Sequence, residues 1–304
     1  MKEKYSYSSG QLFNFAPDSY FERTRRPIYA IIFLLPFIIF YELGTIFINT
    51  DALNQSQVRV VAFVWLQDFL EYLGFGSRMA LAAPAWTVVI ILTGLQLASR
   101  KRWRFGIADM GPMLVECVLL AVPLIVLSLF LNSAGQPRYN PGQSADGAAR
   151  IQTAPVVSCS ATVTAGLPQG GENIGGGKAK SKSLLADVVT GIGAGIYEEL
   201  VFRLILIGVL MIVFQNVLRV SHTASIILSV LVSAAMFSAY HHIIFLHGQF
   251  DRSAPFNWTE YGFRTMAGVY FAIVFAIRGF GITAGTHIFY DIIATFINTL
   301  FFQR

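Results

Sequence analysis

The chain has 304 residues and a formal net charge of +5, and 55% of its residues are hydrophobic while 13% are charged. A typical soluble domain has about 25% charged residues to cover its core, so this composition argues against a soluble enzyme or a nucleic-acid-binding domain and predicts an integral membrane protein. The two cysteines, Cys117 and Cys159, are too few for a disulfide scaffold or a cysteine-rich metal site.

The first half of the chain predicts three membrane spans. Residues 1–27 are polar and end in several arginines, and residues 28–48 form an apolar run of the length, about 20 residues, that a helix needs to cross the hydrocarbon core. Residues 58–75 are apolar on one side only, which predicts an amphipathic helix lying in the membrane interface. Two further spans are predicted at 79–98 and 113–131.

A segment of different composition separates the two halves of the chain. Residues 132–183 are rich in Gly, Ser, Ala, Pro and Gln and contain few large apolar side chains, which predicts a flexible, low-complexity loop. The apolar pattern then resumes and continues to the end of the chain. It predicts four more spans, at 184–217, 224–246, 264–277 and 280–302.

Together these patterns predict an all-α polytopic membrane protein with about seven transmembrane helices and one interfacial amphipathic helix. Basic residues cluster at the span ends that share a side with the N-terminus, so we expect the N-terminus in the cytoplasm and the chain in the plasma (inner) membrane. The predicted regions are a polar cytoplasmic N-terminus at 1–27, N-terminal membrane helices at 28–131, the flexible loop at 132–183 and a second membrane domain at 184–304.

Ionisable side chains within the predicted spans are concentrated in the second half of the chain. Such residues are costly in hydrocarbon, and where they occur they usually serve function. They are Glu198, Glu199 and Arg203 in the fourth span, His241 and His242 in the fifth, and His287 and Asp291 in the seventh.

Helical spacing predicts how these residues are arranged. Glu199 and Arg203 are four residues apart, so they share a helix face and can pair, whereas Glu198 points about 100° away and can face a cavity. Glu198 and His241 lie at similar distances from the turn near Arg219, so we expect them to meet across the hairpin of the fourth and fifth spans.

The types of residue in this cluster predict hydrolytic chemistry. A carboxylate beside a neutral imidazole can hold and deprotonate a water molecule, and a second histidine can donate to a developing oxyanion. Two alternatives remain open. Two His and two Glu could hold zinc in a metalloprotease, and a cluster of Glu, Asp and His could relay protons in a transporter or belong to a membrane scaffold.

Three short motifs in this region resemble those of a known family. Residues Glu198–Arg203 resemble the E-E-x-x-x-R motif of the CPBP family, which contains the type II CAAX prenyl endopeptidases and the bacteriocin-processing or Abi proteins. Residues Phe237–His241 resemble its F-x-x-x-H motif, and His287–Asp291 resemble its H-x-x-x-N/D motif. The three motifs occur in the family's order, on separate hydrophobic spans.

The resemblance implies an intramembrane endopeptidase of the glutamic type, with 184–304 as its catalytic domain. Its partners would be membrane lipids and a protein or peptide substrate that is membrane-associated or prenylated, and it would need no cofactor. Carried over by position, Glu198 would be the base that activates water with the help of His241. His287 and Asp291 would stabilise the oxyanion, and Glu199 and Arg203 would orient the site or the substrate.

The last motif position departs from the commoner form of the family, because Asp291 stands where Asn is frequent. Asn donates a hydrogen bond at any pH, whereas Asp donates one only when it is protonated. The resemblance therefore implies that Asp291 is either protonated when it contacts an oxyanion or serves to orient His287.

Overall fold

The structure, a computed structural model, describes residues 16, 18–49, 57–74, 83–134, 162–165, 184–241, 243–246, 249–252 and 258–302. Those residues are almost entirely helical. In the first half, the helices are α1 (Tyr20–Thr24), α2 (Pro27–Asn49), α3 (Val61–Tyr72), α4 (Ala83–Ser99) and α5 (Met110–Ala134), with a short 3₁₀ turn at Ile107–Asp109.

The second half of the chain supplies the remaining helices. The first of its membrane helices changes pitch twice, as α6 (Leu184–Glu199), a π-helical segment (Leu200–Leu206), α7 (Ile207–Ile212) and a second π-helical segment (Val213–Val217). It is followed by α8 (His222–Tyr240), α9 (Trp258–Arg278), α10 (Phe280–Ile297) and a last π-helical segment (Asn298–Phe302).

Several of these helices are long and apolar enough to cross a membrane. Within the described ranges there are five, with bounds Pro27–Ile48, Ile107–Leu131, Leu184–Val217, His222–Tyr240 and Phe280–Phe301. Pro84–Ser99 is a shorter apolar helix, and α9 is a further long helix at the position of the sixth predicted span. The chain is a multi-pass membrane protein of the all-α class, as the sequence predicts.

Two short antiparallel β-pairs join the helices, and they change two predicted boundaries. β1 (Gln57–Val60) pairs with β2 (Thr162–Ala165), and β3 (Ile243–Leu246) pairs with β4 (Gln249–Arg252). The predicted interfacial helix at 58–75 therefore begins as a strand, and the predicted fifth span at 224–246 ends as one. The sixth predicted span, 264–277, corresponds to α9, which begins six residues earlier at Trp258.

The early end of α8 has a local cause. The ring nitrogen Nδ1 of His241 lies 2.8 Å from the carbonyl oxygen of Phe237, so the imidazole occupies one of the carbonyls that a helix leaves without a partner at its C-terminus. Hydropathy continues unchanged through the following strand, so the predicted span ran past the true end of the helix.

Helices α6 and α10 form the centre of the domain because glycines let their backbones come close. A Cβ added to Gly195 would lie 2.7 Å from the backbone nitrogen of Ile288, and one added to Gly191 would lie 2.9 Å from the Cβ of Asp291. Small residues spaced four apart allow this kind of close helix approach in membranes. The contact places the end of α6 beside the middle of α10.

The N-terminal segment is tied to the second half by a network around Arg278. Arg278 pairs with Glu116 of α5 and donates to the Thr24 hydroxyl at 2.9 Å, while the Tyr20 hydroxyl donates to Glu116 at 2.8 Å. Burial and the hydrogen bond to Glu116 raise the pKa of Tyr20, so its hydroxyl remains a donor. This network attaches α1 and α5 to the corner between α9 and α10.

Part of the predicted organisation lies outside the described residues. Of the predicted flexible loop at 132–183, the structure describes the last turn of α5 and the strand β2. The flexible loop and the four-region division therefore stay predictions.

Candidate active site

The site begins where α6 changes pitch. Glu198 and Glu199 are the last two residues of α6, and the π-helical segment Leu200–Leu206 follows directly. Single π-helical turns inside α-helices are frequent at functional sites, because the wider turn redirects side chains. The predicted pair is nevertheless present, with Arg203 Nε 3.1 Å from Glu199 Oε2.

His287 lies at the centre of the acidic cluster. Its Nδ1 is 2.7 Å from Glu199 Oε1, and its Nε2 is 3.6 Å from Asp291 Oδ2 and 4.0 Å from Glu198 Oε2. The side chains of His287, Glu198 and Glu199 have no solvent exposure. Side chains of two motifs that are distant in sequence therefore converge on one imidazole ring.

Aromatic rings fix the planes of the charged groups. Phe271 of α9 stacks on the His287 ring with 4.6 Å between centroids and 18° between planes, and the Phe237 ring meets His287 at 77°. The guanidinium of Arg203 lies 4.2 Å from the centroid of Phe237. These contacts hold His287 and Arg203 in single orientations and surround the cluster with apolar surface.

Several ionisable side chains are buried together at the site. Three carboxyl groups, from Glu198, Glu199 and Asp291, surround one imidazole and one guanidinium, and none of these residues is more than 2% exposed. Carrying several uncompensated charges out of water is expensive. The cluster therefore opposes its carboxyl groups with a guanidinium and an imidazole, and it supplies the base and the hydrogen-bond donors that acid–base catalysis needs.

A second group of residues approaches Glu198 from α8. The Tyr240 hydroxyl donates to Glu198 Oε1 at 3.3 Å, and the Tyr240 ring meets the His241 ring with 5.0 Å between centroids. His241 is 6% exposed. A carbonyl oxygen can accept but not donate, so the contact with Phe237 places a proton on Nδ1 of His241. In the neutral ring, Nε2 is then the nitrogen that can accept a hydrogen bond.

The predicted residues lie close together in the structure, and five of them are in one contact group. Glu198, Glu199, Arg203, His287 and Asp291 are in direct contact with one another through the His287 ring and the Glu199 carboxylate. Tyr240 is a shared neighbour of His241 and Glu198, because its ring contacts His241 and its hydroxyl contacts Glu198. His242, which the sequence also places in this span, lies outside the described residues.

Two residues at the site, Tyr240 and Phe271, were not predicted from the sequence. Tyr240 precedes the motif histidine, and its signal was a polar-tipped aromatic residue next to that histidine within an apolar span. Phe271 gave no signal, because an aromatic side chain in an apolar helix is ordinary.

The zinc alternative has no ready-made ligand set in the described part of the chain. Among the described residues, no group of three or more His, Cys, Asp or Glu side chains is arranged to hold a metal ion. Zinc needs about four ligands converging at about 2 Å. We therefore assign no reaction step to a metal.

Comparison with known families gives a match in the part of the chain that carries the site. Residues 180–293 match the family described as type II CAAX prenyl endopeptidase Rce1-like. This part of the chain is similar to the CAAX protease family. The matched region, here called the CAAX protease domain, includes all three motifs and every side chain that converges on His287. No curated protein and no solved structure matches the chain.

The match supports a membrane peptidase with a lipid environment and a peptide substrate. The CAAX protease domain comprises α6 to α10, apart from the last residues of α10. Helices α1 to α5 precede it in the chain and pack against it.

Proposed function

We propose that this protein is a glutamic-type intramembrane endopeptidase in which Glu198 activates the attacking water. The observation that carries the proposal is the placement of Glu198 Oε2 4.0 Å from Nε2 of His287, whose other nitrogen is held by Glu199. At that separation, Glu198 as the base and His287 as the hydrogen-bond donor can act on the same reacting carbonyl group.

The proposed reaction has two proton transfers. Glu198 removes a proton from water as the water oxygen attacks the peptide carbonyl carbon. Glu198 then returns that proton to the amide nitrogen as the C–N bond breaks, which leaves a carboxylic acid and an amine. His241 acts through Nε2 to hold the same water, because its Nδ1 is bonded to the Phe237 carbonyl.

Oxyanion stabilisation falls to His287 in this mechanism. In the doubly protonated ring, Nδ1–H donates to Glu199 and Nε2–H donates to the oxyanion. Asp291 either donates to the same oxyanion when protonated or holds His287. Arg203 neutralises Glu199 and keeps it in place.

The substrate class follows from the family and the environment. The family description refers to prenylated CAAX proteins, and the site lies among helices long enough to span a membrane. We propose peptide segments that are membrane-associated or prenylated as substrates. The proposed orientation places the N-terminus in the cytoplasm and the protein in the plasma membrane, since basic residues flank the spans on that side.

Purified protein in liposomes tests the proposal directly. Fluorogenic peptides with and without a prenylated cysteine are assayed with the wild type, with Glu198→Gln and His241→Ala, and with Glu71→Gln as a control. Glu71 is exposed at the end of α3. We expect cleavage to be lost in the first two variants and kept in the third, with all of them folded. Full cleavage by Glu198→Gln would refute the mechanism.

The same preparation discriminates the two alternatives. A zinc protease would lose cleavage after chelation and regain it with zinc, whereas we expect chelation to leave cleavage unchanged. A proton-relay carrier would show proton flux that Glu198→Gln abolishes, without any peptide cleavage.

A further inference from the structure

We propose that Tyr240 is a positioning residue for Glu198, and that the N-terminal amide of α3 completes the active site through the Tyr240 hydroxyl. This inference rests on the proposed function, because it concerns how the proposed base is held and charged. It assigns a role at the site to a helix that lies outside the CAAX protease domain.

The Tyr240 hydroxyl bridges two distant parts of the chain. It accepts a hydrogen bond from the backbone nitrogen of Ala62 at 2.9 Å and approaches Glu198 Oε1 at 3.3 Å. The backbone amide of Ala62 can only donate, so the phenol oxygen accepts from it. The phenol hydrogen is then donated to the Glu198 carboxylate. Ala62 has no solvent exposure and Tyr240 is 3% exposed, so water does not compete for either bond.

The amide of Ala62 is a favourable donor because of its place in α3. That helix runs over Val61–Tyr72, and Ala62 is in its first turn, where backbone N–H groups have no partner within the helix. The helix dipole adds partial positive charge at the same end. An N–H bond to the phenol oxygen also strengthens donation by the phenol hydrogen, since linked hydrogen bonds polarise one another. The end of α3 thereby favours the charged form of Glu198.

The Tyr240 ring is held rigidly, in part by the same helix. Trp65 of α3 meets it at 71° with 5.0 Å between centroids, and Phe202 of the π-helical segment meets it at 60° with 5.2 Å. A fixed ring gives the hydroxyl a fixed position. By binding Oε1, Tyr240 leaves Oε2 as the Glu198 oxygen that faces His287.

The Tyr240 hydroxyl therefore affects both the protonation and the position of the Glu198 carboxylate. Without the phenol, protonation of the carboxylate becomes easier, and Glu198 can rotate away from the water. Tyr240→Phe removes the hydroxyl and keeps the ring packing. A matched control is Tyr197→Phe, because the Tyr197 hydroxyl donates to a different carboxylate, Glu42 Oε1, at 3.2 Å.

The decisive measurement is the pH dependence of kcat and of kcat/KM in liposomes. For Tyr240→Phe we expect kcat to fall about 10- to 100-fold and the acid limb of the profile to move up by about one pH unit, because a hydrogen bond to a charged group is lost. We expect Tyr197→Phe to keep the wild-type profile. An unchanged kcat, or a fall in activity with an unmoved acid limb, would overturn the positioning role.

A second variant guards against misfolding of Tyr240→Phe. Ala62→Pro removes the amide donor while Tyr240 stays intact, and the first turn of a helix tolerates proline. We expect a smaller shift of the acid limb in the same direction, and the absence of any shift would contradict the role of α3.

The outcomes also separate this inference from the proposed function. If Glu198→Gln retains activity, the proposed function itself is wrong. If Glu198→Gln is inactive while Tyr240→Phe and Ala62→Pro both behave as the wild type, the positioning role alone is refuted.

Discussion

Nδ1 of His287 lies 2.7 Å from Oε1 of Glu199, although the two residues are 88 positions apart in the chain. This contact joins the first and third motifs at one point. Glu199 also faces Arg203 at 3.1 Å, so its carboxylate lies between a guanidinium and an imidazole. Glu199 is therefore held from both sides, which is consistent with the proposal that it orients His287 while Glu198 acts on water.

The Glu199–Arg203 pair predicts strong coupling in stability. Glu199→Gln leaves a buried guanidinium without its carboxylate, which we expect to cost about 3–5 kcal/mol of unfolding free energy. The double variant Glu199→Gln/Arg203→Met should recover part of that loss, because it removes both charges. Unfolding of the four proteins of this cycle in detergent gives the coupling energy. Additive losses would show that the pair does not stabilise the fold.

The close approach of α6 and α10 predicts that Gly195→Ala disrupts the site. The new methyl group would meet the backbone of Ile288, so the helices must separate, and we expect a loss of about 1–3 kcal/mol and reduced cleavage. Gly208→Ala is the matched control, because nothing lies within 4 Å of a Cβ at that helical position. We expect that control to be neutral or stabilised by up to about 1 kcal/mol. Equal behaviour of the two variants would contradict the packing argument.

The acid at the last motif position predicts a distinctive pH effect. If Asp291 donates to the oxyanion, it does so only when protonated, whereas Asn donates at any pH. Asp291→Asn should therefore keep cleavage and extend it to more basic pH, while Asp291→Ala should lose it. The pH profile of kcat for both variants is the measurement. A basic limb that does not move in Asp291→Asn would assign Asp291 to holding His287 instead.

The membrane class and most of the site were predictable from local properties. Hydropathy identifies spans because each span must satisfy its own backbone in lipid, which makes the signal local. The pairing of Glu199 with Arg203 was equally predictable, since helical periodicity puts residues four apart on one face. Glu198, His287 and Asp291 were conspicuous because charge is scarce elsewhere in the spans.

Boundaries and partners across helices were harder to predict. The sequence analysis extended the fifth span to 246, because the apolar run continues beyond the turn at His241 into β3. It expected Glu198 to meet His241 directly, from equal distances to a turn. In the structure Tyr240 contacts both residues, through its hydroxyl to Glu198 and its ring to His241, and the direct contact stays a prediction.

The sequence by itself determined the membrane class, the three motifs and the pairs that lie four residues apart, because each depends on neighbours along one helix. Tertiary structure alone decided that Glu199 binds His287, that Phe271 stacks on that ring and that the end of α3 reaches Glu198 through Tyr240. Those contacts depend on how close the helices approach and how each is rotated. The glycines of α6 and the packing of aromatic side chains determine both, and hydropathy along the chain records neither.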